Sequence, residues 1–409
     1  MTLRPEFLNQ VEKDLAAVDH ALATRYAGDR TGRQPVHTCY VPADKFTSTM
    51  SADYGNAALQ AITDFIPDPQ AFTSNLGIED HDVVWEKLIT KLNTEPVEDV
   101  RVDFEDGYGI RASEEEDEHV AQAIPHMSES DVPFIGMRIK CFEPLTRARG
   151  LRTLDSIVTG LSGNLPENFI ITLPKVTYAE QVTVMAKACT ELEMALGLPD
   201  HRLGFEVQVE TAQAILGPDG AATVAKMIDA GDGRVTAFHY GTYDYSASVG
   251  VSAAYQAMDH PAADYAKLVM QVAAAGTGVR LSDGSTNILP VGTKDEVLSA
   301  WQLHYSLVRR HLTRAYYQGW DLHPHQLVTR HLATIVFYRE GFTAGVNRLI
   351  NYLGRAETGV ADEPATAIAL ARYVIRGIEA GAVSAEELKT ASGLSVEDLN
   401  KLLANRGRL

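Results

Sequence analysis

The segments GFEVQVET and FHYGTYDYS each place a carboxylate just after a run of β-branched and aromatic residues. Glu210 follows the first run and Asp244 follows the second. Runs of this composition predict strands that are buried on both faces, so both acids stand at or just past the C-terminal ends of strands. Two carboxylates offered from neighbouring strand ends suit a hard divalent cation such as Mg²⁺, which prefers oxygen ligands. The pair therefore predicts a metal site.

Eight such runs recur along the chain and predict the strands that position these acids. Helical patterns such as Ala179–Gly197 and Pro261–Ala275 separate the runs. Eight strands alternating with helices predict an α/β fold of the (β/α)8 TIM barrel class, with a doubly wound sheet as the structural alternative. The predicted strands are His37–Val41, Val100–Phe104, Phe134–Ile139, Phe169–Leu173, Leu203–Val209, Val235–Tyr240, Gly278–Leu281 and Gly319–Leu322.

Three parts are predicted along the chain. Residues 1–35 form an N-terminal helical segment, residues 36–335 form the barrel, and residues 336–409 form a C-terminal helical lobe. The long interval between the first two strands predicts an insertion within Ser51–Thr94, beside the first helix of the barrel. After the last strand the pattern is helical only.

Several further helices are predicted from apolar residues at helical spacing. Thr211–Ala230 has this pattern, although Gly217-Pro218 interrupts it, and Asp295–Gln318 continues the alternation. In the C-terminal lobe, Ala365–Glu379 and Ser384–Ala404 have the pattern of amphipathic helices.

Polar side chains follow nearly every predicted strand. In a (β/α)8 barrel the active site is built on the C-terminal ends of the strands. One such residue could be a helix cap, but a set at nearly every strand end favours a shared polar site. In chain order the set is Asp44, Lys45, Asp103, Glu105, Asp106, Arg138, Lys140, Lys175, Glu210, Asp244, Asp283, His323 and His325.

Seven motifs follow one another along the chain. They are VPADK, VDFEDG, MRIK, LPKV, VQVETAQAI, YGTYDYSASVG and LHPHQ, and they cover roughly residues 36–330. In this order they resemble the landmarks of the HpcH/HpaI aldolase and citrate lyase beta-subunit superfamily. The DFED tetrad of the chain is also similar to one in malate synthases, which share the barrel and the metal site.

The resemblance implies which residues bind the metal ion. The metal ligands of the superfamily fall on Glu210 and Asp244. Glu206 lies on the same face of the strand as Glu210, but the match of the ETA element favours Glu210. Mg²⁺ is the implied ion, with Mn²⁺ as an alternative.

The resemblance also implies a set of catalytic and substrate-binding residues. Arg138 would face the substrate oxygen, and Glu105 and Asp106 would orient metal-bound water. Lys175 matches the lysine of the PK motif, whose role is open, and it is counted with the catalytic group. The implied substrate-binding residues are Arg138, Gly241, Thr242, Asp44 and Lys45.

These roles imply a Mg²⁺-dependent carbon–carbon lyase or aldolase, of aldol or Claisen type and citrate lyase beta-like. The substrate would be a 2-oxo or 2-hydroxy acid or its coenzyme A (CoA) thioester. The alternatives are a CoA-thioester hydrolase, a malate synthase-like condensing enzyme, or a non-catalytic barrel with a partner-binding helical tail. Two candidates remain for the general base. One is metal-bound water near Glu105 and Asp106, and the other is Asp283.

Use of CoA is also left open. The CoA branches of the superfamily have Gly after the Val-Pro of strand one, where this chain has Ala43, and His239 and Tyr243 place bulky side chains beside Asp244. A basic cluster could bind the phosphates of CoA or could be a solvated helix start. Its members are Lys140, Arg147, Arg149 and Arg152.

Composition limits the classes of partner. The 409 residues include 36 Lys and Arg but 54 Asp and Glu, a net charge of −18, which argues against nucleic acid or an anionic membrane because phosphate binding needs clustered cations. No apolar run approaches bilayer length, and the N-terminus lacks the apolar run of a signal peptide, so a cytoplasmic location is expected. The widely spaced Cys39, Cys141 and Cys189 predict neither a disulfide framework nor a zinc site. The superfamily resemblance implies a homo-oligomer.

Overall fold

A computed structural model describes residues 2–354 and 363–404 of the chain. The eight strands of these residues form one parallel sheet in the order β7-β6-β5-β4-β3-β2-β1-β8. Eight parallel strands with surrounding helices confirm the predicted (β/α)8 barrel class. The strands are β1 His37–Pro42, β2 Asp99–Asp103, β3 Phe134–Arg138, β4 Phe169–Leu173, β5 Gly204–Val209, β6 Val235–Tyr240, β7 Arg280–Ser282 and β8 Gly319–Asp321.

Helices occupy most of the chain between these strands and after them. Those of the described residues are α1 Pro5–Arg25, α2 Met50–Phe65, α3 Pro69–Asn75, α4 His81–Thr94, α5 Ser113–Glu129, α6 Arg147–Leu161, α7 Ala179–Leu196, α8 Ala212–Ile215, α9 Thr223–Ala230, α10 Thr242–Ser248, α11 Pro261–Ala274, α12 Lys294–Thr313, α13 Gln326–Leu353, α14 Pro364–Glu379, α15 Ala385–Ser392 and α16 Val396–Ala404. Two short 3-10 helices lie at Ala43–Lys45 and Ala253–Tyr255.

One predicted helical segment is interrupted in the structure, and another ends earlier than predicted. The segment Thr211–Ala230, whose pattern Gly217-Pro218 interrupts, forms α8 and α9 on either side of that pair. Proline lacks the N–H group that would continue the first helix. The helix predicted to reach Gln318 ends at Thr313, just before Ala315, whose φ of 64° lies in the left-handed region.

The chain groups into two compact units by internal contacts. The first unit comprises Met1–Gly32, Ile139–Asp155 and Ile170–Ser282. The second comprises Arg33–Arg138, Ser156–Phe169 and Asp283–Leu409. The strands β5, β6 and β7 belong to the first unit, and β1, β2, β3 and β8 belong to the second.

Helices α13 to α16, in the second unit, pack around a core of their own. The predicted C-terminal lobe also includes residues 355–362 and 405–409, which lie outside the described residues. Helix α13 runs unbroken across the predicted boundary between residues 335 and 336. The buried residues of this core are Val346, Leu349, Ala367, Ala371, Val374, Leu388, Leu399 and Leu402.

A buried charged network joins the first and last strands of the second unit to helices α12 and α13. Asp321 of β8 lies at its centre, and its carboxylate accepts two hydrogen bonds of 3.0 Å from Nε and Nη2 of Arg330. Nδ1 of His37 lies 2.6 Å from the same carboxylate and Nε2 of His304 lies 3.2 Å from it. Nη1 of Arg330 also contacts Nε2 of His311 at 2.7 Å. These five residues are called the Asp321 network below.

The proton positions and pKa values of this network follow from its contacts. Nε2 of His37 accepts the backbone N–H of Glu98 at 3.0 Å, so the ring carries its proton on Nδ1 and donates it to Asp321. Burial by itself raises the pKa of Asp321, but the charge of Arg330 and the hydrogen bonds from His304 and His37 outweigh it. The pKa of Asp321 is therefore held well below its usual value.

The structure describes the surroundings of the cysteines and the character of the helices. Cys39, Cys141 and Cys189 are all buried free thiols. Within residues 2–354 and 363–404, no helix combines the length and the apolar character that crossing a lipid bilayer requires.

Candidate functional site

The two predicted metal ligands lie close together in the first unit. Glu210 directly follows β5 and is only 2% exposed. Asp244 lies in the first turn of α10, which follows β6, and its side chain is 46% exposed. One carboxylate oxygen of Glu210 and one of Asp244 lie within 4.8 Å of each other. The register of the sheet explains this, because Val209 pairs with Tyr240 and so brings the two strand ends level.

Gly241 makes room for the buried carboxylate of Glu210. A Cβ atom at position 241 would lie 2.4 Å from Cγ and 2.6 Å from Oε1 of Glu210, distances that no side chain can occupy. The backbone N–H of Gly241 donates a 3.1 Å hydrogen bond to the carbonyl of Val209, which fixes the glycine beside the end of β5. The motif glycine is therefore required by the position of Glu210.

Lys175 contacts both carboxylates through two different groups. Its backbone N–H donates a 2.9 Å hydrogen bond to Oε2 of Glu210, and its Nζ donates a 3.2 Å hydrogen bond to Oδ2 of Asp244. The residue has a φ of 51°, in the left-handed region that residues other than Gly, Asn and Asp seldom adopt. Strained backbone of this kind is concentrated at functional sites. We define Lys175, Glu210 and Asp244 as the Lys175 cluster.

The Lys175 cluster fits a divalent cation by its chemistry and by its surroundings. Carboxylate oxygens are the ligands that Mg²⁺ and Mn²⁺ prefer. The cradle formed by Gly241 holds one of them in a buried position, while Asp244 is accessible to an incoming ion. The buried hydroxyl groups of Thr242 and Ser246 have no hydrogen-bond partner among the described residues, a feature typical of sites that bind water or ligand. Glu210 and Asp244 could therefore hold the ion.

Glu206 is the alternative carboxylate on the same strand, and it has other contacts. It is 2% exposed, accepts a 2.5 Å hydrogen bond from the Thr172 hydroxyl and lies 3.0 Å from Nε2 of His239. His239 is itself fully buried. Glu206 is thus part of a buried polar layer.

Arg138 and Asp103 form a buried ion pair in the second unit. They are paired in the register of β2 and β3, and Asp103 accepts hydrogen bonds from Nε of Arg138 at 2.6 Å and from Nη2 at 2.7 Å. The guanidinium also stacks over the Tyr40 ring, 4.7 Å from its centroid. Burial lowers the pKa of Arg138, but the charge of Asp103 and these hydrogen bonds outweigh it and hold that pKa well above its usual value. Arg138 is therefore a fixed positive charge.

Asp103 also shapes the loop that carries the predicted acidic pair. Its two oxygens accept backbone N–H groups of Glu105 and Gly107, each at 2.9 Å. The carboxylate of Glu105 in turn accepts the N–H of Asp106 at 2.9 Å, and Asp106 is exposed. The loop after β2 is thus held by the same carboxylate that orients Arg138.

The predicted residues after β1 lie in the 3-10 helix Ala43–Lys45. Oδ2 of Asp44 accepts a 2.9 Å hydrogen bond from Nη2 of Arg111, whose Nη1 binds Glu115. Lys45 is exposed. Asp44 therefore belongs to a surface ion-pair group within the second unit.

Two other strand-end residues have local structural contacts. Oδ1 of Asp283 accepts the N–H of Gly284 at 2.8 Å, and Asp283 is buried, which is typical of a turn. Gln326 accepts the N–H groups of Leu322 and His323 and so closes the LHPHQ turn. Burial, followed by the neighbouring His325, lowers the pKa of His323 to about 4.

Comparison with known proteins gives a family for this chain. Residues 15–407 match the family described as "Domain of unknown function (DUF6986)". The protein belongs to the DUF6986 family. No curated protein matches its sequence.

Solved structures share the fold of this DUF6986 protein at low sequence identity. A citrate lyase from Burkholderia xenovorans LB400 is 16% identical, with a TM-score of 0.58 over 87% of this chain and 96% of that one. A Haloferax volcanii malate synthase crystallised with glyoxylate is 15% identical, with a TM-score of 0.51 over 93% and 99% of the two chains. Its magnesium and glyoxylate complex is 15% identical, with a TM-score of 0.50 over 93% and 100%. These similarities establish the shared barrel fold.

Sequence reasoning missed the double contact of Lys175. The PK motif marks the position, but the left-handed backbone that turns its N–H toward Glu210 has no signal in the sequence, because lysine is not a residue type enriched there. Sequence reasoning also missed the contact between Gly241 and Glu210. The glycine of the YGTYD motif is a clue to it, since an isolated glycine after a strand indicates a close approach.

Proposed function

We propose that this DUF6986 protein is a divalent-metal-dependent carbon–carbon lyase of the aldol or Claisen type, with Mg²⁺ or Mn²⁺ held by Glu210 and Asp244. The observation that carries the proposal is the close approach of these two carboxylates, which Gly241 makes sterically feasible. The fold shared with citrate lyase and malate synthase structures agrees with it. By analogy with the glyoxylate named for malate synthase, a small 2-oxo acid is the proposed electrophile or product.

Each residue has a defined task in this proposal. When bound, the divalent ion supplies Lewis acidity to substrate oxygens. Arg138, held in one orientation by Asp103, supplies positive charge and N–H donors to the oxygen that becomes negative as the carbon–carbon bond forms or breaks. Glu105 and Asp106 would orient water for the reaction.

Substrate recognition is proposed for the residues around these groups. Gly241 and Thr242 line the start of α10 beside the metal ligands, and Asp44 and Lys45 contribute polar groups from the end of β1. Free hydroxy acids and their CoA thioesters are both candidate substrates. The reaction direction is proposed as cleavage, and the step that forms the carbon–carbon bond in a condensation is the reverse of that cleavage.

The direct test is release of glyoxylate or pyruvate from a panel of hydroxy acids and their CoA thioesters, with Mg²⁺, with Mn²⁺ and with a chelator. We expect one substrate to be cleaved only when a divalent ion is present. Glu210→Ala and Asp244→Ala should abolish turnover and weaken Mn²⁺ binding, as followed by electron paramagnetic resonance.

Asp219→Ala is the matched control. Asp219 lies in the same unit and, like Asp244, is a half-exposed Asp bonded to a lysine, in this case Lys226. The control should bind Mn²⁺ and turn over substrate as the wild type does. Absence of turnover across the panel, together with Mn²⁺ binding that survives Glu210→Ala and Asp244→Ala, would overturn the proposal.

We also propose a cytoplasmic homo-oligomer with an N-terminal segment of residues 1–35, a barrel of residues 36–335 and a C-terminal lobe of residues 336–409. Light scattering after size-exclusion chromatography tests the oligomer, and a single peak at the mass of one chain would contradict it.

A further inference from the structure

We propose that Lys175 is a positioning residue whose ammonium group competes with the metal ion for Asp244, so that the ion binds weakly by itself and more tightly together with a small anionic ligand. This inference rests on the proposed function, because it assumes that the two carboxylates bind a divalent ion. It goes further by assigning Lys175 a role and by requiring a negatively charged substrate.

The contacts of Lys175 carry the first step. Its Nζ lies 3.2 Å from Oδ2 of Asp244, and its N–H binds Oε2 of Glu210 at 2.9 Å. An ammonium group in this position and a divalent cation are attracted to the same carboxylates. The two positive charges repel each other within a few ångströms, where Coulomb energies are large even after partial screening.

The charge balance of the Lys175 cluster carries the second step. The ammonium group of Lys175 offsets one of the two negative charges that Glu210 and Asp244 offer to the ion. An anion that pairs with this ammonium group frees the carboxylate of Asp244 for the ion. Metal and anion should therefore bind with positive coupling, and by linkage each should raise the affinity of the other by the same factor.

The backbone of Lys175 carries the third step. With φ at 51°, the residue aims its N–H at Glu210, so the anchor on the buried carboxylate does not depend on the side chain. Its side chain is 22% exposed, against 46% for Asp244, and it can pivot from Asp244 toward an incoming anion while the N–H stays in place. The strained backbone is thus explained by the separate tasks of the two groups.

The test measures Mn²⁺ affinity by electron paramagnetic resonance, with and without glyoxylate, for the wild type and Lys175→Met. We expect the variant to bind Mn²⁺ alone roughly tenfold more tightly, because removal of one neighbouring positive charge favours the cation. The glyoxylate-induced gain in Mn²⁺ affinity should be several-fold in the wild type and largely lost in the variant. Lys226→Met removes an exposed lysine that binds Asp219 in the same unit, and it should match the wild type.

Two further variants distinguish loss of the lysine charge from misfolding and from loss of the side chain itself. Lys175→Gly suits the left-handed backbone and keeps the N–H, so it should fold and behave like Lys175→Met. Lys175→Arg keeps the charge and should retain the coupling.

The methyl ester of pyruvate, which lacks the carboxylate charge, should produce no coupling in any variant.

The outcomes separate this inference from the function on which it rests. If the wild type binds Mn²⁺ through Glu210 and Asp244 but Lys175→Met and Lys175→Gly show unchanged affinity and unchanged coupling, the role of Lys175 is wrong and the metal site stands. If the wild type binds no Mn²⁺ at all, both are overturned.

Discussion

The Asp321 network and the Lys175 cluster both join carboxylates to positively charged groups, but they differ in burial and in backbone geometry. Asp321, Arg330 and their histidine partners are at most 2% exposed. The carboxylate of Asp321 contacts Arg330, His37 and His304 at the same time. In the Lys175 cluster, Asp244 is half-exposed and Lys175 has a left-handed backbone.

This difference separates stability from function in the two regions. Buried charges are tolerated only where partners satisfy them, and the Asp321 network meets that condition with side chains of its own unit. The Lys175 cluster retains an exposed carboxylate and a strained residue, features that cost stability and are kept where a ligand uses them. We therefore expect substitutions in the network to act on unfolding and substitutions in the cluster to act on binding.

The largest expected effect is that of Asp321→Ala. The substitution leaves Arg330 as a buried charge without its carboxylate, and the loss of one member of a buried ion pair costs about 3–5 kcal/mol. Chemical denaturation followed by circular dichroism measures the free energy of unfolding. Asp219→Ala, which removes an exposed acid, is the control and should unfold like the wild type. Equal stability of Asp321→Ala and wild type would show that the network does not stabilise the fold.

The second effect is a loss of stability in mild acid, caused by His331 beside the network. Its ring packs against His37 at 5.2 Å between centroids. Burial, together with the charge of Lys91, lowers its pKa to about 3. An unfolded chain takes up a proton near the ordinary pKa of about 6.5, whereas the folded protein does not. Stability is therefore full above about pH 6.5 and falls below it, by about 2 kcal/mol between pH 7 and pH 5.

His331→Gln is the variant that isolates this group. Glutamine keeps an N–H donor for the carbonyl of Pro96, which Nε2 of His331 contacts at 2.8 Å, but it does not titrate. Denaturation curves at several pH values should show a smaller slope between pH 7 and pH 5 for the variant. Identical slopes for the two proteins would mean that His331 takes no part in the acid sensitivity.

Much of the fold was predictable because strands buried on both faces have a dense local signal. Phe169–Leu173 and Val235–Tyr240 were predicted with the bounds that are observed, and the other strands differ at their ends by one or two residues. Helix ends were less predictable where a single backbone angle decides them, as at Ala315. Eight strands alternating with helices were enough to predict the barrel class, because sequential parallel strands joined by helices have few arrangements.

The networks between distant segments were less predictable than the fold. The pair Glu210 and Asp244 was predicted from motifs. The Asp321 network draws its members from β1, α12, β8 and α13, so no local pattern reveals it. Its histidines appeared as isolated residues, because their partners become neighbours only when the strands are paired.

The third effect, Gly241→Ala, tests whether the cluster depends on the geometry of Glu210. The added Cβ would lie 2.4 Å from Cγ of Glu210, so the carboxylate has to move. We expect a loss of about 1–3 kcal/mol, typical of overpacking, and at least a tenfold weaker affinity for Mn²⁺. Gly163→Ala is the matched control, because no atom lies within 4 Å of its added Cβ. Unchanged Mn²⁺ affinity in Gly241→Ala would show that the position of Glu210 is unimportant for the ion.

The smallest effect on stability is expected for Asp244→Ala, which removes a carboxylate from the cluster as Asp321→Ala removes one from the network. Asp244 and Lys175 are both accessible to water, and ion pairs of that kind contribute at most about 1 kcal/mol. The variant should therefore unfold within about 1 kcal/mol of the wild type, while its affinity for Mn²⁺ falls at least tenfold. Denaturation and electron paramagnetic resonance on the same samples measure both quantities. A loss of stability as large as that of Asp321→Ala would mean that Asp244 is a structural residue, because removal of a carboxylate lowers the free energy of unfolding that much only when the carboxylate is buried and fully paired.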